Sequence, residues 1–300
     1  MEDRLQKFVR LVDAGNFVKA AQELRISQPA LSVAIAKLER ELRAALLVRG
    51  VRPLTVTPAG QLAYAAGKDI ALRKSNLKTL LAELAEQKVP VSVGTIDSVA
   101  SALLASPDSV DDLERNASVS LVVDNSRNLV SAIDNGTLDL AFVVGRRFYG
   151  KTIEVLHTAT ETLLVVCAPE QLADSNAQAA AGRLRRFISY DQSSTTRQLV
   201  LDALLEKEIE VESMFYSTSP EVMLGLVRQQ RGVAALPYQM VQPYIAQGDL
   251  AVVGRPTPLA VERPIHVIQR QGTILASPLQ RTVSQAEALL APLKAGTYGL

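Results

Sequence analysis

The first sixty residues constrain the fold of this chain most strongly, because three helical segments follow one another with only short breaks between them. Residues 4–14 carry apolar side chains at the three- and four-residue spacing of an amphipathic helix. Asn16 is a suitable N-cap for a second helix over 17–24. Ser27 then caps a third helix, and Pro29 stands in its first turn, where a missing N–H costs nothing. Helix, short turn and helix at this spacing predict a helix-turn-helix.

A wing and a long helix are expected next. Two β-type runs, 46–48 and 54–56, flank a basic tip, which predicts a two-stranded wing. Thr57 and Pro58 begin a helix with few breakers before Lys88, roughly 40 Å long at ~1.5 Å per residue. Its apolar stripe consists of Leu62, Ala66, Ile70, Leu77, Leu80 and Leu84. Such a stripe either packs on its own protein or pairs with a second copy, and the length of the helix favours pairing.

The remainder of the chain reads as an α/β region. Short apolar runs alternate with helical stretches, which predicts a parallel α/β sheet, and about 210 residues are enough for two lobes. The predicted strands are 91–94, 119–123, 138–144, 162–168, 186–190, 232–237 and 265–269.

Charge and composition narrow the class of protein. Residues 1–88 hold 15 Lys and Arg against 9 Asp and Glu, whereas the rest hold 17 against 22. The basic end is a candidate for binding a polyanion, although scatter over a mixed surface remains open. One cysteine and two histidines leave little for a metal site or a histidine triad, and no cofactor is predicted. An acidic, amphipathic start without a long apolar run predicts a cytoplasmic protein with no membrane association.

The first sixty residues also carry a family resemblance. The stretch Ser27-Gln28-Pro29-Ala30-Leu31-Ser32 lies among apolar and small residues in a gap-free pattern that closely resembles the LysR-type transcriptional regulators. The other positions that carry it are Phe8, Ala20, Ala21, Leu24, Ile35, Leu38, Glu39, Leu42, Arg49, Leu54, Thr57, Ala59 and Gly60. The resemblance is less specific in the second half, but the order and length of its elements extend over the whole chain.

The resemblance implies an architecture and a function. It implies a winged helix-turn-helix at 1–58, a linker and dimerisation helix at 59–88 and a two-lobed effector domain like periplasmic binding proteins at 89–300. Lobe I would comprise 89–160 and 265–300, lobe II 161–264, with crossovers near Thr160 and Pro264. The expected partners are double-stranded promoter DNA, a small-molecule effector and further copies in a homodimer or homotetramer, with RNA polymerase as a further candidate. Two alternatives stay open: a metabolic α/β enzyme with a helical appendage, and an effector-independent DNA-binding protein.

Candidate DNA-contacting residues follow from the face of the third helix. If Leu31, Ile35 and Leu38 point inward, the opposite face points outward. Gln and Ser can hydrogen-bond base edges, Val and Pro can touch a thymine methyl, and Lys and Arg suit phosphates. The predicted DNA-binding residues are Gln28, Pro29, Ser32, Val33 and Lys37, with Arg49 and Arg52 in the wing.

Candidate effector-binding residues are hydroxyls that follow predicted strands and precede helices. Free N–H groups and hydroxyls at such positions suit an anion or a carboxylate, although each cluster alone could be a helix cap. Together they predict a ligand cleft where the strand ends converge. The predicted residues are Thr95, Ser98, Ser126, Arg146, Ser194, Thr195 and Ser217. A small polar or anionic molecule, such as an organic acid, is the expected ligand.

Overall fold

The computed structural model describes residues 1–48, 50, 53–85, 88–104, 117–145, 149–254, 256–284 and 286. The chain divides into two compact units. Residues 1–85 together with 272–274 form the first, and the rest of the described chain forms the second. The domain and lobe boundaries expected from the sequence are not tested by this division and stay predictions.

The N-terminal unit contains the predicted helices. They are α1 (Glu2–Ala14), α2 (Phe17–Glu23), α3 (Gln28–Leu42) and α4 (Pro58–Leu84). The predicted caps are present, because the Asn16 side chain accepts from the Lys19 N–H at 2.8 Å and Ser27 Oγ accepts from the Ala30 N–H at 3.3 Å. Thr57 Oγ1 likewise accepts from the Gly60 N–H at 2.9 Å, which fixes the start of α4.

One hydrophobic core holds these helices together. Leu31, Ile35 and Leu38 of α3 are buried against Phe8 and Leu11 of α1. This arrangement confirms the inward face predicted for the third helix and leaves the opposite face of α3 to solvent.

The wing is tied to this core by backbone bonds. Leu47 and Val56 form an antiparallel bridge, and the Val48 N–H donates to the Thr55 carbonyl at 2.9 Å. Gly60 is required where α4 meets the wing, since a Cβ there would lie 2.1 Å from the Leu46 carbonyl oxygen. The wing residues Arg49 and Arg52 lie outside the described residues.

The C-terminal unit is built on a mixed sheet. Its strands are β1 (Val89–Thr95), β2 (Ala117–Val123), β3 (Leu140–Val144), β4 (Ile153–Cys167), β5 (Arg183–Tyr190), β6 (Glu210–Ser217), β7 (Ala234–Pro237), β8 (Ala251–Val252) and β9 (Ala260–Arg270). The main sheet runs β2-β1-β3-β9-β4-β7 with β8 paired to β4, and β5 and β6 pair separately.

The predicted parallel sheet is correct for part of the strands and wrong for β9. β1 is parallel to β2 and β3, but β9 is antiparallel to both β3 and β4. Two long strands explain the difference, because β4 and β9 pair along most of their length and each joins both halves of the unit. Thr160 and Pro264, where the resemblance implies the crossovers, are direct partners in this ladder.

The remaining helices cover the sheets. They are α5 (Asp97–Leu104), α6 (Ser126–Asp134), α7 (Leu172–Ala180), α8 (Thr195–Leu205), α9 (Pro220–Arg228), α10 (Tyr238–Gln247) and α11 (Ser277–Ser284), with a 3₁₀ turn at Pro169–Gln171. α5, α6 and α8 begin shortly after β1, β2 and β5 respectively, so their N-termini follow strand ends, as the hydroxyl clusters of the sequence predict. No helix in the described ranges is both long enough and apolar enough to span a membrane.

Candidate DNA interface and ligand cleft

The outer face of α3 is a polar and small-residue surface open to solvent. Gln28, Pro29, Ser32 and Lys37 are all exposed, and Val33 is 54% exposed. The structure therefore brings the five predicted residues of the third helix onto one accessible face, as expected if Leu31, Ile35 and Leu38 form the inner one.

A groove of about 890 Å³ lies between this face and the wing. Gln28 and Ser32 line one wall, Val48 and Pro53 the opposite side, and Val18 of α2 also reaches it. The Glu39 carboxylate accepts from the Leu46 and Leu47 N–H groups at 2.8 and 3.3 Å. These bonds hold the wing at a fixed position against α3, so the shape of the groove is set by the fold.

Val18 is a groove residue that the sequence reasoning missed. Its side chain is 55% exposed, close to the fraction for Val33. An exposed valine near a groove lined with hydrogen-bonding side chains suits contact with a thymine methyl group.

The second candidate site is a cleft within the C-terminal unit. It has a volume of about 60 Å³ and receives the N-termini of α5, α6 and α8. Of the predicted effector-binding residues, Ser98, Ser126, Ser194 and Thr195 line it together.

Two other predicted residues, Thr95 and Ser217, do not line the cleft. Thr95 is fully buried, and its hydroxyl donates to the Ile96 carbonyl at 3.1 Å. Ser217 bonds the backbone of Ser219, whereas its neighbour Thr218 is the residue that lines the cleft. Arg146 lies outside the described residues.

A buried ion pair underlies the cleft. Glu161 of β4 and Arg263 of β9 are directly opposite in the ladder, and their side chains are 0% and 4% exposed. Arg263 Nε donates to Glu161 Oε2 at 2.5 Å, and Nη2 lies at the same distance from that oxygen. Paired in this way, the two charges largely neutralise each other inside the protein.

The same guanidinium reaches both halves of the unit. Arg263 Nη2 donates to Ser98 Oγ of α5 at 3.2 Å, and Nη1 donates to Thr196 Oγ1 of α8. A guanidinium carries five N–H donors, so these contacts leave one on Nη1 for another acceptor.

Tyr190 provides an uncommitted donor at the cleft. It ends β5, is 6% exposed and lines the cleft, and its hydroxyl oxygen is buried without a hydrogen-bond partner among the described residues. Burial raises the pKa of Tyr190 to about 12, with smaller effects of Arg263, Glu161 and Asp97. The hydroxyl is therefore protonated at neutral pH and can donate to a bound acceptor.

The N-terminus of α8 is a second source of donors. The Ser194 side chain occupies the N-cap position without making a cap hydrogen bond to any described group. By contrast, Asn125 caps α6 through the Asn128 N–H at 3.0 Å. Because an uncapped N-terminus presents free N–H groups and the positive end of the helix dipole, α8 suits a negatively charged ligand atom.

Glu161, Arg263 and Tyr190 were not predicted from the sequence. Arg263 stands just before the predicted strand 265–269, and Glu161 just before 162–168, so neither position carried a signal. Only the pairing of β4 with β9, across about a hundred residues, brings them together. In the described part of the chain, no group of three or more His, Cys, Asp or Glu side chains could hold a metal ion.

Comparison with known proteins identifies the family to which both parts of the chain belong. Residues 3–61 match the family model "Bacterial regulatory helix-turn-helix protein, lysR family", and residues 87–291 match "LysR substrate binding domain". The chain is 22% identical to the HTH-type transcriptional regulator CysL of Bacillus subtilis over 97% of its own length and 96% of that protein.

Solved structures show the same fold. DarR of Vibrio fischeri, solved in complex with DNA, aligns with a TM-score of 0.52 at 21% identity over 95% of this chain and 97% of DarR. LysG of Corynebacterium glutamicum, solved with bound effector Arg, aligns with a TM-score of 0.61 at 17% identity over 96% and 98%. These family matches show that the chain belongs to the LysR family of transcriptional regulators, with a helix-turn-helix domain followed by a substrate-binding domain.

The buried ion pair generates a stability prediction. Replacing Arg263 by Met, or Glu161 by Gln, should each lower the free energy of unfolding by about 3–5 kcal/mol, because each change leaves a charged or polar partner buried without its counterpart. The double variant Glu161→Gln with Arg263→Met should lose clearly less than the sum of the two single changes. Urea denaturation of the purified variants measures all three values.

The matched control is the exposed pair Arg183–Glu212, whose atoms lie 3.2 Å apart with side chains 54% and 58% exposed. Arg183→Met should cost about 0–1 kcal/mol. Additive losses in the Glu161 and Arg263 double variant would show that the two groups do not act as a pair.

Proposed function

We propose that this LysR-family regulator reads promoter DNA through α3 and its wing and responds to a small polar or anionic effector in the cleft. The observation that carries the proposal is the combination of an exposed recognition face with a cleft whose donors are uncommitted. The protein acts by binding DNA and an effector rather than by catalysing a reaction. It acts in the cytoplasm, where its target DNA lies.

The recognition face supports contact with base edges. Gln28 and Ser32 stand in the first turns of α3, on the wall of the groove, and the capped N-terminus of α3 holds them in place. Gln pairs with adenine through two hydrogen bonds, and Ser bonds a base or a phosphate. Lys37 is exposed further along the same helix, where it suits the phosphate backbone.

The cleft supports an effector response by population shift. Ser98 and Thr196 approach one guanidinium from helices on opposite sides of the cleft, so a ligand that binds between them favours one arrangement of the two lobes. If that arrangement of the lobes changes the affinity of the protein for DNA, effector binding regulates DNA binding. LysG, similar in fold, was solved with a bound effector, which supports a small-molecule effector for this chain as well.

Gel-shift analysis with promoter fragments tests the proposal directly. Purified protein should retard fragments from near its own gene, and small metabolites should change the affinity or mobility of the complex. Retardation that no metabolite alters would favour the effector-independent alternative. Turnover of a metabolite without DNA binding would favour the alternative that the protein is a metabolic α/β enzyme.

The recognition face gives a first mutational prediction. Gln28→Ala and Ser32→Ala should each weaken binding to the specific site by about 1–3 kcal/mol, because each removes a base-edge hydrogen bond. Lys37→Ala should weaken specific and non-specific DNA alike and reduce the salt slope by about one. Fluorescence anisotropy across a salt series measures both effects.

Ser75→Ala, an exposed change on α4, serves as the control and should leave affinity unchanged. If both the Gln28 and the Ser32 variants bind the operator with the affinity of the unmodified protein, α3 is not the recognition helix.

The apolar stripe of α4 gives a prediction about assembly. The N-terminal half of α4 packs on α1, where a Cβ at Gly67 would lie 2.5 Å from Val9 Cγ2. Further along, Leu77, Leu80 and Leu84 are 55%, 42% and 82% exposed in the single chain. We propose that these leucines bury one another in a homodimer, and that such dimers assemble further into a homotetramer.

Leu80→Lys combined with Leu84→Lys should give monomers that bind DNA weakly, because two charges would have to be buried in the pairing surface. Gln61→Lys with Ser75→Lys adds the same charge at exposed polar positions of α4 and should leave assembly intact. Sedimentation at micromolar concentration distinguishes these outcomes, and a monomeric unmodified protein would contradict the proposal.

A further inference from the structure

The size of the cleft limits what it can hold. A volume of about 60 Å³ is far below the ~300–1,000 Å³ of pockets for drug-sized ligands. The cleft therefore suits a ligand much smaller than a drug-sized molecule. Glycine, alanine, acetate and propionate are ligands of that kind, and the charges of the lining discriminate among them.

The charged side chains of the described lining disfavour a simple anion. Arg263 is already neutralised by Glu161. The remaining charged side chains of the described lining are Arg127, Asp97 and Asp124, which leaves one net negative charge. Arg127 reaches across to the Ser193 carbonyl at 3.4 Å. A ligand whose only charge is a carboxylate would therefore meet a described lining that is, in sum, weakly repulsive.

The two carboxylates at the cleft differ in their availability. Asp124 accepts from the Asn125 N–H at 2.6 Å and from the Asn128 side chain at 2.9 Å, so its oxygens are committed to the start of α6. Asp97, at the start of α5, is exposed and takes part in no hydrogen bond or ion pair of its side chain with the described residues. It is the available acceptor for a positively charged group.

Donors for a carboxylate lie at other positions of the cleft. The Tyr190 hydroxyl is buried without a partner in the described chain, one N–H of Arg263 is left over, and the N-terminus of α8 is uncapped by its own Ser194 side chain. Backbone N–H groups, a phenol and a neutralised guanidinium bind a carboxylate without adding a net positive charge to the site.

We propose that the cleft binds a small zwitterion, an α-amino acid of the size of glycine or alanine, with its carboxylate at Tyr190 and the α8 N-terminus and its ammonium group at Asp97. The inference rests on the proposed function, because it specifies the ligand of the proposed effector cleft. It narrows the expected class from polar or anionic molecules to those that carry both charges.

A panel of matched ligands tests the charge requirement. Isothermal titration of the full chain compares glycine, L-alanine and β-alanine with acetate and propionate, which lack the ammonium group, and with methylamine and ethylamine, which lack the carboxylate. The expected result is binding of at least one zwitterion, with each matched acid and amine bound about tenfold more weakly or not at all.

Two variants test the assigned contacts. Tyr190→Phe should weaken zwitterion binding about fivefold or more through loss of one charge-assisted hydrogen bond. Asp97→Asn should weaken zwitterion binding but strengthen binding of the matched acid, because it removes a negative charge from the site; a merely structural role would weaken both. Tyr244→Phe and Asp174→Asn, which do not line the cleft, are the matched controls.

The outcomes separate this inference from the proposed function. If the matched acids bind as tightly as the zwitterions and Tyr190→Phe weakens that binding, the requirement for an ammonium group is wrong. The cleft then remains the effector site. Absence of binding across the panel, or binding insensitive to both variants, would overturn the inference itself. Neither result bears on DNA binding by the ligand-free protein, which the gel shift measures independently.

Discussion

The buried Glu161–Arg263 pair is the interaction on which the C-terminal unit depends. Its two residues face each other on β4 and β9, the strands that join both halves of the unit. Thr162 adds a second cross-strand contact, donating from its hydroxyl to Glu262 at 2.9 Å. Burying two charges is costly unless they are paired and hydrogen-bonded, so the guanidinium must keep Glu161, Ser98 and Thr196 close to it. The need to pair these buried charges thus fixes the positions of Arg263, Ser98 and Thr196 in the ligand cleft.

The N-terminal unit follows a different physical rule. There the apolar face of α3 forms the core with α1, and burial of that face leaves Gln28, Ser32 and Lys37 exposed on the opposite side. The Arg4–Glu41 ion pair also joins α1 to α3, near the C-terminal end of α3, and leaves the polar face of α3 available for DNA. The Glu39 carboxylate then fixes the wing by accepting two backbone N–H groups. The reading surface is in this way a consequence of core packing and one local hydrogen-bond cluster.

Features set by nearby residues could be predicted from the sequence, and features set by distant ones could not. The caps at Asn16 and Ser27 and the inner face of α3 depend on residues within a few positions, and the structure confirms them. That Ser98, Ser126, Ser194 and Thr195 line one cleft could be predicted because hydroxyls after strands mark helix starts at strand ends. Arg263 and Tyr190 carry no such pattern, since an arginine in a strand resembles any surface charge until its partner is known. The antiparallel direction of β9 was missed for the same reason, because strand direction depends on a pairing with β4 far away in the chain.

Hydrogen exchange across the crossover strands is the most direct test of the central claim, that one buried ion pair joins the two halves of the C-terminal unit around the cleft. In an Arg263→Met variant, peptides from β4, β9, α5 and α8 should exchange about tenfold faster or more than in the unmodified protein, because local opening no longer breaks the pair. Peptides from α1 and α3 should be unchanged, and so should all peptides in the Arg183→Met control. Unchanged protection of β4 and β9 in the Arg263 variant would contradict the account.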